Sequence, residues 1–100
     1  MCFCYYLFMS NDNNLIIKET FIQALKNHQN NNLEVAKNLY NKIIQFEPNN
    51  IAALNNLGLV FQSLGESQEA IGCYKKVIQF EPNNIAALNN LGLVFQNLGE

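Results

Sequence analysis

The side chains with most chemistry to offer in this 100-residue sequence are one histidine, three cysteines and eight carboxylates. Their spacing organises none of them into a site. His28 has no nucleophile or metal partner at helical spacing, so it reads as an exposed or capping residue rather than a base. Cys2, Cys4 and Cys73 contain no C-x2-C pair, and no second pair or suitably placed histidine follows, which makes free thiols the expectation over a zinc site or disulfides. Glu66, Glu69 and Glu81 pair with nothing by spacing and are read as solvated carboxylates that complement helix ends. There is no glycine-rich phosphate loop. No catalytic residue, metal or cofactor is expected within these residues.

What does recur at fixed spacing is the carboxamide. Asparagine pairs stand at 49 and 50, 55 and 56, 83 and 84, and 89 and 90. Charged residues make up only 14% of the chain, against roughly 25% in an ordinary globular protein. With six lysines, no arginine and a net charge of −2, no basic field exists to hold a phosphate backbone, so nucleic-acid binding is not expected. Hydrophobic residues reach 49%, too many for disorder, yet no apolar run approaches the ~20 residues of a membrane span. The apolar opening run, residues 1–9, lacks the basic flank and cleavage site of a secretory signal. A cytoplasmic location follows as the expectation. Met9 is expected to be the true first residue, with residues 1–13 outside the core.

The carboxamides must be positioned by a repeat. Residues 44–66 reappear as residues 78–100, an offset of 34, with one difference, Ser63 against Asn97. A fainter copy lies upstream, where Ala36, Tyr40, Ile43 and Pro48 precede Ala70, Tyr74, Val77 and Pro82 by the same offset. This divides the chain into a divergent first unit (14–50), a complete unit (51–84) and the first helix of a third (85–100). Within the complete unit, Ile51, Leu54, Leu57, Phe61 and Leu64 fall on one helical face. Gly65 ends that helix, and Ser67 or Glu66 opens a second that carries Ala70, Ile71, Tyr74, Val77 and Ile78. Pro82 closes the unit, and Asn83 or Asn84 caps the next helix. The short connection makes the two helices antiparallel neighbours. Five helices are expected, near 14–30, 33–46, 50–64, 67–80 and 84–98. The first is expected to be least regular at its end, where Asn30, Asn31 and Asn32 replace the glycine turn. Gly58, costing about 1 kcal/mol inside a helix, implies a close helix approach, with Ala70 as the expected small partner; Gly92 and Ala24 keep the same place small.

The string Leu54-x2-Leu57-Gly58-x2-Phe61, followed by Ala70, Tyr74 and Pro82, resembles the tetratricopeptide repeat pattern W-x2-L-G-x2-Y…A-x3-F…P. Leu54 stands for the tryptophan and Phe61 for the tyrosine, and the match covers about residues 17–100. The resemblance implies an all-α solenoid of helix–turn–helix repeats, about two and a half of them, stacked as a right-handed superhelix with the first helix of each repeat on the concave wall. It implies a non-catalytic scaffold with a protein or peptide partner. The concave residues would be Asn55, Asn56, Leu59 and Gln62, repeated as Asn89, Asn90, Leu93 and Gln96, offering paired donors and acceptors to an extended peptide. Asn56 and Asn90 resemble the asparagine ladder of the O-linked N-acetylglucosamine transferase arrays, with the next rung broken by Ile22. The carboxylate clamp of chaperone-tail binders is not expected, because Phe21, Leu25, Asn56, Ala86 and Asn90 occupy its places and supply no cation. Lys75 and Lys76 are expected on the outer, solvated side. An array ending on a first helix leaves Leu88, Leu91, Phe95 and Leu98 wanting a cover, so the sequence reads as a fragment able to self-associate through that end. The alternative reading is the N-terminal targeting array of a larger glycosyltransferase, methyltransferase or sulfotransferase.

Overall fold

The computed structural model describes the backbone of residues 2–99 and the side chains of residues 13–99. Five helices follow one another: α1 (Cys2–Gln29), α2 (Leu33–Phe46), α3 (Ile51–Ser63), α4 (Ser67–Phe80) and α5 (Ile85–Asn97). No strand occurs among the described residues. Each helix packs on the next in the chain, and α3 also touches α5, so the first helices of the second and third units are neighbours. The fold is the expected all-α tetratricopeptide-type stack.

Local chemistry accounts for the boundaries. Asn50 and Asn84 occupy N-cap positions, each accepting a backbone N–H three residues on, Ala53 and Ala87 respectively, at 2.9 Å. Each cap is itself held, its Nδ2 donating to Glu47 at 2.8 Å or Glu81 at 2.9 Å. The cap that sequence left between Asn83 and Asn84 is thus Asn84. Glu66 takes the N-cap place of α4 with no side-chain cap bond.

Gly65 ends α3 at φ 77°, with the Glu66 N–H reaching back to the Phe61 carbonyl at 2.8 Å. That bond closes a Schellman-type end. The asparagine turn after α1, expected to be irregular, is built the same way. Asn31 adopts φ 64°, and the Asn32 N–H bonds the Asn27 carbonyl at 2.8 Å. Asparagine tolerates the left-handed region well enough to replace glycine here. A second difference lies at the other end of α1, which begins at Cys2 rather than near residue 14. Residues 2–13 hold no proline or glycine to interrupt it. The packing of the side chains of residues 1–8, and the state of Cys2 and Cys4, lie outside the described residues.

The core forms two adjoining clusters. One joins α1, α2 and α3 through Ala24, Ala36, Tyr40, Ile43, Ala53, Leu57 and Val60, and reaches α4 at Cys73. The other joins α3, α4 and α5 through Leu54, Ala70, Tyr74, Val77, Ala87 and Val94. A helix in mid-stack is covered on two sides, so α3 buries Ala53 and Val60 outside the single apolar stripe read from its periodicity, while Ile51 and Phe61 on that stripe are only half-buried. Cys73 is a free thiol buried in the first cluster. Lys75 and Lys76 are exposed.

Candidate functional site

The 34-residue register makes α1, α3 and α5 equivalent helices, with α3 touching α5, and the candidate residues sort by what each already touches. Asn55 donates from Nδ2 to Asn84 Oδ1 at 3.4 Å, a polar clasp between α3 and the capping residue of α5. Its own Oδ1 is buried without a partner. The Gln62 Oε1 accepts the hydroxyl of Tyr74, tying α3 to α4. Both carboxamides therefore serve the stack. Asn56 and Asn90 are half-buried, and among the described residues neither amide is engaged. Leu59 is half-buried, whereas Asn89, Leu93 and Gln96 are exposed on α5.

In the first unit the pattern breaks. Phe21 stands 34 residues before Asn55, and Asn50 stands 34 before Asn84, so the clasp has no counterpart between α1 and α3. Phe21 instead meets the Tyr40 ring edge-on, at 5.8 Å between centroids. Where the clasp is missing, a pocket of about 400 Å³ opens between α1 and the start of α3, lined by Ile17, Lys18, Phe21, Ile22, Asn50 and Ala52. Ile22 occupies the register place of Asn56 and is 52% exposed. The sequence marks Ile22 as a broken rung; the signal for the pocket is Phe21 at the register place of Asn55. A wider depression of about 790 Å³ lies on the second helices, with Lys42 and Lys76 among its lining residues. No buried side chain there is polar or charged.

Among the described residues the interior contains titratable groups but no charged side chain. Burial pushes the Tyr40 hydroxyl up from its ordinary 10.0 to about 12 and the Cys73 thiol from 9.0 to about 11. Tyr74 is raised by the same cause. All three are held neutral at physiological pH, the opposite of what an activated nucleophile needs. The Tyr40 hydroxyl is buried without a hydrogen-bond partner. Among the described residues, no helix is long and apolar enough to cross a membrane.

Residues 51–84 match a family model described as tetratricopeptide repeat, and residues 73–100 match a second model of the same description. No curated protein matches the chain. Among solved structures, the chain is similar to MamA at 28% identity and a TM-score of 0.79, covering 83% of this chain and 48% of that one. A second MamA structure agrees at 28% identity and the same TM-score, with 45% of its length covered. The C-terminal TPR-containing domain of an FK506-binding protein from Plasmodium falciparum is similar in fold, with 24% identity, a TM-score of 0.83, and coverage of 93% of this chain and 62% of that one. The chain spans about half the length of the MamA structures it matches. These likenesses support the repeat, and not the narrower likeness to the glycosyltransferase arrays.

Proposed function

The chain belongs to the tetratricopeptide repeat family, and on that premise we propose that it is a non-catalytic scaffold that holds an extended peptide segment of a protein partner along α3 and α5. The observation that carries this reading is the pair Asn56 and Asn90. They occupy one register on two touching helices, half-buried, with neither amide spent within the fold. Each carboxamide offers two donors and an acceptor, the complement of a peptide's own N–H and C=O. Two such groups would bind backbone rather than side chains, giving broad selectivity and modest affinity. Asn55 and Gln62 would act indirectly, fixing α5 and α4 against α3. Asn89, Leu93 and Gln96 would extend the surface on α5, and Leu59 would supply an apolar floor.

The test is the double substitution Asn56→Ala with Asn90→Ala, read by titration of arrayed extended peptides with helicity monitored in parallel. Loss of two hydrogen bonds of about 1 kcal/mol each should weaken binding roughly tenfold or more at unchanged helicity. Equal binding by the double variant would return both asparagines to a solubilising role.

A further inference from the structure

The pocket between α1 and α3 deepens that reading, and the following inference rests on it. We propose that this pocket is the selective end of the peptide site, taking one large apolar side chain of the peptide with an adjacent carboxylate set against Lys18. Three observations converge. The pocket, an open depression of about 400 Å³, has Ile17, Phe21, Ile22 and Ala52 in its lining, so an apolar side chain set against it is partly withdrawn from water with no hydrogen bond to satisfy. It lies on α1 in the register that Asn55 and Asn56 occupy on α3, and is therefore in line with the asparagine pair. Lys18 is exposed and lines the pocket. At the equivalent places α3 and α5 carry Ala52 and Ala86, so this is the cation of that register.

Among the described residues Lys18 forms no ion pair, and Glu19 projects about 100° round the helix from it. Backbone capture by Asn56 and Asn90 is indifferent to sequence. The pocket adds what that capture lacks, a preference for a leucine-sized residue beside an aspartate or glutamate. The same substitution, Phe21 for asparagine, both removes the clasp to α3 and provides the apolar wall.

The experiment uses the full chain and short fluorescein-labelled peptides of alanine and serine carrying a central Leu-Glu, Ala-Glu or Leu-Gln pair, read by anisotropy. Ala-Glu should bind about tenfold more weakly than Leu-Glu, the effect of losing one buried apolar side chain. Leu-Gln should bind about threefold more weakly at low salt, and the gap should close at high salt. Ile22→Asn, which restores the carboxamide of the other units, and Ala52→Phe, which fills the pocket from α3, should each erase the leucine preference. Lys18→Gln should erase only the glutamate preference. Both Ile22 and Ala52 are exposed, and circular dichroism checks that the variants fold. Equal affinities for Leu-Glu and Ala-Glu, or a leucine preference that survives both variants, would overturn the proposal. If the peptides bind equally and Asn56→Ala with Asn90→Ala weakens all of them alike, the asparagine reading stands and the pocket falls. If the leucine preference holds but the double variant has no effect, the pocket stands without the ladder. Binding of none of the peptides overturns both.

Discussion

The ring of Tyr74 lies so close over Gly58 that a β-carbon built on the glycine would sit 2.5 Å from Tyr74 Cε1 and 2.6 Å from Cζ. The small partner expected from sequence was Ala70; the group that needs the space is instead an aromatic ring one turn further along α4. At Gly92, the same residue of the next unit, a β-carbon would meet nothing within 4 Å.

Two chemically identical substitutions should therefore have opposite signs. Gly58→Ala forces the Tyr74 ring to move within a packed cluster and should destabilise by about 1–3 kcal/mol, outweighing the alanine's helical preference. Gly92→Ala meets no neighbour and should stabilise by up to about 1 kcal/mol. Urea midpoints of the two variants check this, and a Gly58→Ala chain as stable as the parent would refute the close packing.

The two core tyrosines should respond differently to losing their hydroxyls. The Tyr74 hydroxyl donates to Gln62, so Tyr74→Phe removes a hydrogen bond between α3 and α4 and should cost about 1 kcal/mol. The Tyr40 hydroxyl is buried without a partner, so Tyr40→Phe removes a desolvated group that gains nothing and should be neutral or stabilising. Chemical denaturation of both variants supplies the comparison. A larger loss for Tyr40→Phe than for Tyr74→Phe would contradict the hydrogen-bond pattern.

How far the sequence carried the reading depends on whether a feature is local. Helix ends at Gly65, Asn50 and Asn84 follow from residues within one turn, and the 34-residue identity places them twice. Burial of Ala53, Val60 and Cys73 was not legible, because a period finds one face and a mid-stack helix has two. The left-handed Asn31 shows an equivalence that composition hides, since it fills the register place of Gly65. At the candidate site, adjacent asparagines have different fates for a reason 29 positions away. Asn84 engages Asn55 and leaves Asn56 free. No local pattern separates them.

Stability should fall with alkali. Cys73 and Tyr40 hold their protons in the folded chain up to about 11 and about 12, against ordinary values of 9.0 and 10.0. Between those limits the unfolded chain binds fewer protons than the folded one, so the free energy of unfolding decreases as pH rises. The contribution is whole below pH 9.0 and is lost progressively through about 12. Denaturant midpoints taken stepwise above pH 9.0 should decline, and Tyr40→Phe should decline less steeply. A midpoint indifferent to alkali would mean that these groups titrate as freely in the fold as in water.

Leu54 is 2% exposed beneath α4, whereas its counterpart Leu88 is 45% exposed, with Phe95 at 37% and Leu98 at 43% beside it. From residue 85 to residue 96 the α5 sequence is identical to that of α3, so the open face has the shape and chemistry that α4 covers one unit earlier. Contiguous apolar surface of this kind drives association in water. A chain of residues 1–100 alone should therefore sediment above its 11.4 kDa monomer mass as concentration rises. Leu88→Lys should restore the monomer without loss of helicity, because the side chain it replaces lies outside both core clusters. A synthetic peptide with the sequence of α4 should compete, seating a tyrosine over Gly92 as Tyr74 sits over Gly58. A parent chain that stays monomeric at high micromolar concentration, and is unaffected by that peptide, would show that exposure of this face carries no attraction between molecules.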